Sequence, residues 1–453
     1  MMGRSVSSSE SSLTSPPKGT RMLRSVLQSI RAAFTVDRRV FALAFARLAD
    51  GIGNSFLIIV IPLYVASDVV GGRTFGLEEA MIIGIVLSLY GLLNSLFQPF
   101  TGRLSDSRGA RKRFILLGLG GLATTNFLYL FAGSYLSLVV LRALQGVSIA
   151  FIVPTSVALV NELATAGDRG GNMGVYNTFR LVGFGAGPVA AGAVVAGGPY
   201  ELALGNPTVS VSGFEATFLI ATLTALVSLA MVATMITDPE GTKRRAGGTP
   251  SVPFTDPRGD NVLNPVITLG IATLFMMIAI SIFATLQNTV NARLDQASTW
   301  FGLQFSAFVI AQIFLQTPIG RASDRFGRRP FILWGMVILL PTTLVQGFVQ
   351  TSLAMFAARL GQGVAGAMVF APSLALAGDL APEGESGTTL SVLTMAFGFG
   401  IALGPLISGF LVGIDFAIPF VFAAGLALVG AVLVATQVEE TLEEDVSTPS
   451  AAE

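Results

Sequence analysis

Residues 102–113 read Gly102-Arg-Leu-Ser-Asp106-Ser-Arg-Gly109-Ala-Arg111-Lys112-Arg113, and residues 320–330 read Gly320-Arg-Ala-Ser-Asp324-Arg-Phe-Gly327-Arg328-Arg329-Pro330. The two stretches stand 218 residues apart. Three more blocks repeat at an offset of 217. Arg142-Ala-Leu-Gln145-Gly146 returns as Arg359-Leu-Gly-Gln362-Gly363, and Ala158-Leu-Val-Asn-Glu162 returns as Ala375-Leu-Ala-Gly-Asp379. Gly183-Phe-Gly-Ala-Gly187-Pro188 returns as Gly400-Ile-Ala-Leu-Gly404-Pro405. Four blocks in nearly one register mark an internal duplication. Each copy alternates a polar, basic, glycine-bearing turn with long apolar runs.

The apolar runs approach the roughly 20 residues needed to cross about 30 Å of hydrocarbon. They fall at about 40–66, 80–101, 114–132, 136–161, 172–196, 214–237, 265–290, 300–319, 331–350, 353–377, 388–412 and 417–436. Twelve spans divide into two sixes. Six is even, so both copies have one topology and are related by an axis along the membrane normal. The expected organisation is an N-tail (1–37), a first six-helix half (38–237), a linker (238–264), a second half (265–436) and an acidic tail (437–453). Within the Ser-rich N-tail, Met22, Leu23, Val26, Leu27, Ile30 and Phe34 recur at helical spacing among arginines. That pattern suits a basic amphipathic helix on the membrane surface, or a frayed tail with chance periodicity.

Composition agrees with a membrane protein. Charged residues make up 12% of 453, about half the soluble norm of roughly 25%. The mean hydropathy is +0.72. Lys and Arg balance Asp and Glu at 27 each, so no basic excess supports nucleic-acid binding. Disorder and coiled coil are excluded by the apolar content. Cys and His are both absent, which removes thiol chemistry and the commonest metal ligands. No metal or cofactor is expected, and proton chemistry must fall to Asp or Glu. With the N-terminus inside, cytoplasmic segments hold 21 cations and outer loops two, Arg73 and Arg293. Both termini are therefore placed in the cytoplasm.

These blocks resemble the major facilitator superfamily over about residues 38–437. Gly102, Leu104, Asp106, Gly109 and Arg111 match its signature loop after the second helix; Gly320, Asp324, Gly327 and Arg328 match it again. Ser107 and Ala110 depart from its usual basic positions. Gly174, Gly183, Gly187, Pro188 and Gly192 resemble the fifth-helix signature of proton-coupled drug exporters, with Ala191 where Gly is usual. Arg142 with Gln145-Gly146 resembles the fourth-helix signature tied to proton coupling. Gly53 with Ile59-Val60-Ile61-Pro62 resembles the first-helix signature of the twelve-helix exporters, with Ile59 where Pro is usual. The resemblance implies a two-half all-α transporter working as a monomer in the plasma membrane. It also implies that Asp106 faces the start of span eleven and latches the halves in an outward-open state. The same cations, read alone, need only fix orientation.

Charges inside spans are costly and mark function. Five are expected: Arg47, Asp50, Arg142, Arg180 and Arg359. Asp50 is the lone acid. It lies near the middle of span one, with Arg47 three residues earlier on the same face. Hydrocarbon penalises its carboxylate; a nearby arginine favours it. An arginine that approaches and withdraws would therefore release and admit a proton. The alternative is a fixed pair that merely neutralises itself. By resemblance Arg142 takes part in proton transfer. Arg359, its copy, has no acid beside it in sequence and reads as structural or as an anion contact. Arg180 is outside the family pattern and could snorkel, pair with Asp50 or meet an anionic substrate. Gly183, Gly187 and Gly192 form a smooth helix face. With Pro188 it serves either as a kinked, leak-proof hinge or as plain packing. Met276, Met277, Phe283, Gln287, Asn288, Gln304, Gln312, Gln346 and Met395 are candidates to line a weakly polar cavity; Gln287 and Asn288 join Arg180 and Arg359 as candidate substrate contacts.

The expected function is proton:substrate antiport, exporting amphipathic organic small molecules by alternating access. The alternative is a proton-coupled carrier of a defined metabolite, such as an anion, in either direction. A carboxylate would serve Na⁺ as well as H⁺. An enzyme is disfavoured by the missing His, Cys, nucleotide loop and acidic cluster, and a receptor by the lack of any gap long enough for a soluble domain.

Overall fold

The computed structural model describes residues 37–441 except 68, 75, 164–168, 203–208, 239–251, 257–260 and 382–385. The amphipathic helix expected in the N-tail, most of the linker and nearly all of the acidic tail lie outside the described residues. Among the described residues, twelve helices are long and apolar enough to cross a membrane. In the first half they are α1 (Arg38–Val65), α2 (Glu79–Arg108), α3 (Arg111–Leu128), α4 (Tyr135–Leu163), α5 (Arg169–Gly197) and α6 (Gly213–Met235). A two-stranded hairpin, β1 (Tyr200–Leu202) with β2 (Val209–Val211), joins α5 to α6. The second half holds α7 (Pro265–Ser281), a short α8 (Gln287–Arg293), α9 (Ser298–Phe326), α10 (Arg328–Leu344), α11 (Ser352–Asp379), α12 (Ser386–Leu411) and α13 (Ile418–Gln437). Spans eight to twelve of the sequence are thus α9 to α13. The chain is an all-α polytopic membrane protein.

The helices start where polar side chains satisfy free backbone donors. Asp37 accepts from the Arg39 N–H at 2.8 Å, and Asn264 accepts from the Val266 N–H at 2.9 Å. The Arg39 guanidinium also holds the Asp37 carboxyl below its usual range, so this cap stays ionised. Ser212 and Glu215 form a reciprocal capping box at α6. Pro62, Pro99, Pro154, Pro188, Pro318, Pro372 and Pro405 lie inside helices, as neighbouring helices in a bundle allow.

One expectation changes. The stretches beginning at Gly102 and Gly320 are not loops. α2 continues to Arg108 and α9 to Phe326, past the end of the apolar run, and only Gly109 and Gly327 turn the chain. Their φ angles, +62° and +95°, lie where a side chain would strain the backbone.

The duplication is structural as well as sequential. α1 packs on α5 and α6 as α7 packs on α12 and α13; α4 packs on α2 and α3 as α11 packs on α9 and α10. The halves meet along two seams, α2 with α12 and α5 with α9. Small residues let backbones touch there. A Cβ on Gly84 would stand 2.6 Å from the Pro405 oxygen, and one on Gly302 2.6 Å from the Pro188 oxygen. These contacts lie toward the end of the bundle opposite Gly109 and Gly327. Toward the glycine end, α5 and α9 part and leave a cleft of about 260 Å³.

Candidate functional site

The candidate site forms where α1, α2, α4 and α5 converge. Asp50, midway along α1, is buried at 5% exposure. Arg47 donates from Nη1 to Asp50 Oδ2 at 2.6 Å. Tyr90 of α2 donates its hydroxyl to Asp50 Oδ1 at 2.5 Å. Both carboxylate oxygens are therefore held, one by a charge and one by a neutral donor. Such a short, partly desolvated pair is stabilising only while both partners stay in place.

A second tier fixes Tyr90. The Arg142 guanidinium lies 4.6 Å from the Tyr90 ring centroid. Arg142 Nη2 donates to Asn54 Oδ1 at 2.7 Å, and Nη1 to Gln145 Oε1 at 3.1 Å. Gln145 Nε2 donates to Asn126 Oδ1 at 2.5 Å, and Asn126 Nδ2 donates to the Ala221 carbonyl at 3.3 Å. Arg142 is 1% exposed, and its Nε has no partner among the described residues. It meets the acid through Tyr90, so the fourth-helix arginine is placed to position the donor on Asp50.

α5 touches the acid-bearing helix directly. A Cβ on Gly183 would sit 2.6 Å from the Leu48 carbonyl, and Ser55 donates its hydroxyl to the Gly183 carbonyl at 3.2 Å. Gly187 faces Ser55 on the same line. The opposite side of α5 meets the other half: Ser306 of α9 donates to the Gly185 carbonyl at 2.5 Å, and Gly192 faces Ser298 and Thr299. The fifth-helix glycines thus serve two interfaces, and α5 is wedged between Asp50's helix and the second half. Gly174 differs from the rest, since it is exposed and lines the cleft. Arg180 lies on α5 beside this wedge. Its Nε donates to Asn177 Oδ1 at 2.9 Å.

Arg359, the copy of Arg142, is fully buried without a carboxylate partner among the described residues. Its Nη1 donates to Gln362 and to the Ile280 carbonyl, the latter at 3.2 Å. Its Cζ lies 4.5 Å from the Phe283 ring, 5.4 Å from Phe308 and 5.6 Å from Phe305.

The signature turns make paired bridges. Arg111 of α3 meets Glu162 of α4 at 2.5 Å, and Arg328 of α10 meets Asp379 of α11. Arg328 also reaches Asp324 at 3.2 Å. The Asp106 side chain lies outside the described residues, and with it the latch expected there. Gly102 packs near Pro154, whereas nothing lies within 4 Å of a Cβ on Gly320.

Several expected cavity residues lie elsewhere. Met276, Met277, Phe283, Gln304 and Gln346 are buried in packing. Gln287 is fully buried at the start of α8. Asn288 donates to the Pro62 carbonyl at 2.9 Å and to Glu79 at 2.8 Å, joining the two halves at the closed end. The α7 helix stops at Ser281, short of these residues, which takes them out of the span they were read in. Tyr90, Asn54 and Asn126 were missed. Asn54 stands one turn after Asp50, and Tyr90 is matched by Phe308 at offset 218, so a polar difference between the copies was the available signal.

Comparison with known proteins agrees with this architecture. The family model for the Major Facilitator Superfamily matches residues 43–290 and 266–451. The quinolone resistance protein NorA of Staphylococcus aureus (strain MRSA252) is 22% identical over 413 residues, covering 88% of this chain and 96% of that protein. Multidrug resistance protein 1 of Bacillus subtilis is 28% identical over 171 residues, 38% of this chain, and that match spans only 44% of the Bacillus protein. Among solved structures, a peptide transporter POT superposes with a TM-score of 0.70 at 17% identity, covering 90% of this chain and 97% of that one. A D-xylose-proton symporter also gives 0.70 at 14% identity, covering 89% and 98%. Two duplicated six-helix halves, the signature turns and a family match along nearly the whole length converge: the chain belongs to the major facilitator superfamily, whose members are transporters rather than enzymes.

Proposed function

We propose that the protein is a proton:substrate antiporter that exports amphipathic organic compounds across the plasma membrane, with both termini in the cytoplasm. The observation that carries this reading is Asp50, the single buried acid among the described residues, held by Arg47 and Tyr90 where α5 touches α1. The similarity to quinolone and multidrug resistance proteins supports the export direction.

The chemistry follows from the two holders. With Arg47 and Tyr90 engaged, the carboxylate is favoured and the proton leaves. When Arg47 swings away, a charged Asp50 in hydrocarbon is costly, and the acid takes a proton. α5 supplies the link to the rest of the molecule. It touches α1 at Gly183 and the second half at Gly185, so rocking of the halves shifts α5 against Asp50's helix. Protonation thereby biases which end is open, as a ligand biases any two-state equilibrium. Asn288, bridging Pro62 and Glu79, holds the outer end closed in the present state. The cleft between α5 and α9 then faces the cytoplasm.

Inverted membrane vesicles with an imposed proton gradient test the reading. Cationic dyes and organic anions are offered in parallel, with wild type and Asp50→Asn. Gradient-driven accumulation of at least one class, lost in the variant, is expected. Equal accumulation by wild type and a well-expressed Asp50→Asn would refute the role of Asp50.

A further inference from the structure

The cleft between α5 and α9 has an uneven chemistry. Asn177, Thr178 and Leu181 form one wall; Ile313, Gln316 and Thr317 form the other. Amides and hydroxyls alternate with two aliphatic side chains. Neither wall carries an acid: residues 169–200 and 298–323 contain no Asp or Glu. Arg180 is not itself in the lining; it stands three residues along α5 from the lining residue Asn177 and is bonded to it through Nε. The terminal nitrogens of Arg180 have no hydrogen-bond partner among the described residues, and the residue is mostly but not fully buried.

Charge balance sharpens the picture. The spans of the first half hold three arginines, Arg47, Arg142 and Arg180, against one acid. Arg47 takes one oxygen of Asp50, Tyr90 takes the other, and the two terminal nitrogens of Arg142 bond Asn54 and Gln145. Neither Arg142 nor Arg180 has a carboxylate of its own, but the terminal nitrogens of Arg142 are bonded to Asn54 and Gln145 whereas those of Arg180 are not bonded among the described residues. An uncompensated guanidinium in a low-dielectric site attracts anions and repels cations. Its planar fork matches a carboxylate, sulfonate or phosphate in two parallel hydrogen bonds. The volume, about 260 Å³, is near the lower end for small-molecule sites.

We propose that Arg180 and the α5–α9 cleft form a substrate subsite that selects the acidic end of a small amphiphile. Arg180 takes the anionic group. Asn177, Thr178, Gln316 and Thr317 serve neighbouring polar atoms, and Leu181 with Ile313 contacts the apolar body. The subsite rests on the transport reading above, and it names that transporter's preferred substrate as an organic acid rather than an organic cation.

The test is equilibrium binding to the full chain in phosphatidylcholine nanodiscs, without any gradient. Three probes share one ring system and differ in charge: 2-naphthoate, 2-naphthylmethanol and 2-naphthylmethylammonium. Wild type is expected to bind naphthoate at least tenfold tighter than the ammonium compound, with the alcohol between. Arg180→Gln is expected to erase that preference, and Arg180→Lys to keep most of it. Equal or tighter binding of the ammonium probe by wild type would overturn the proposal, as would an unchanged preference in Arg180→Gln. A naphthoate preference in a protein that moves nothing in vesicles would keep the subsite and refute the transport reading. Gradient-driven movement of cationic dyes without a naphthoate preference would do the reverse.

Discussion

In the first half Arg142 lies over the Tyr90 ring and donates to Asn54 and Gln145; in the second half Arg359 lies over Phe308 and donates to the Ile280 carbonyl and Gln362. The frame is the same. Ser55 bonds the Gly183 carbonyl as Ser281 bonds the Gly400 carbonyl, which fixes the register between α1 and α7. In that register Asn54 stands opposite Ile280, Asp50 opposite Met276 and Arg47 opposite Thr273. The second half has therefore kept its buried arginine while lacking the acid, the acid's counter-charge and the hydroxyl that holds it. Phe283, Phe305 and Phe308 surround Arg359 instead, and cation–π contacts stabilise a charge without offering a proton acceptor. A duplicated scaffold here holds one buried acid with its counter-charge and one copy without them. On the proton-coupled function proposed above, this asymmetry would let proton binding act on one half relative to the other.

The largest effect that would sharpen this contrast comes from the two arginines. Arg142→Gln unseats Tyr90 and is expected to lower gradient-driven transport roughly a hundredfold, the effect of losing about 2.7 kcal/mol, within the range for hydrogen bonds to charged groups. Arg359→Gln is expected to lower the melting temperature of the purified protein while its remaining transport keeps the wild-type dependence on the proton gradient. Equal loss of gradient dependence in both variants would break the comparison. A smaller effect comes from exchanging the ring hydroxyl. Tyr90→Phe makes the first site resemble its copy and is expected to slow gradient-driven transport about tenfold, about 1.4 kcal/mol. Phe308→Tyr adds a hydroxyl where no acid waits and is expected to leave that rate unchanged. The smallest effect concerns a feature the halves share. Glu162→Gln and Asp379→Asn each remove one bridge to Arg111 or Arg328, and each is expected to cost less than about 1 kcal/mol in thermal unfolding. The two should behave alike, because here the copies have not diverged.

Much of this was legible in the sequence. Twelve apolar runs and four repeated blocks set the architecture, because hydrocarbon thickness and duplication both leave periodic marks. The Arg47–Asp50 pair was legible from helical spacing alone. Tyr90 and Asn54 were not, because one tyrosine or asparagine in a span carries no charge to single it out, and only the fold brings α2 against Asp50. The signature turns were misread as loops, since polarity marks the end of hydrocarbon and not the end of a helix. α2 runs on to Arg108 because nothing stops it before Gly109. Asn288 looked like a cavity residue because amides suit both substrates and helix contacts; its place at the seam between the halves depends on α7 ending at Ser281.

The central claim is that Asp50 carries the proton while the path for substrate stands apart from it. Proteoliposomes containing wild type or Asp50→Asn separate the two, with one substrate followed both as gradient-driven accumulation and as gradient-free exchange. Asp50→Asn is predicted to lose accumulation and retain exchange, since a neutral amide mimics the protonated acid. Accumulation by Asp50→Asn at the wild-type rate would contradict the account.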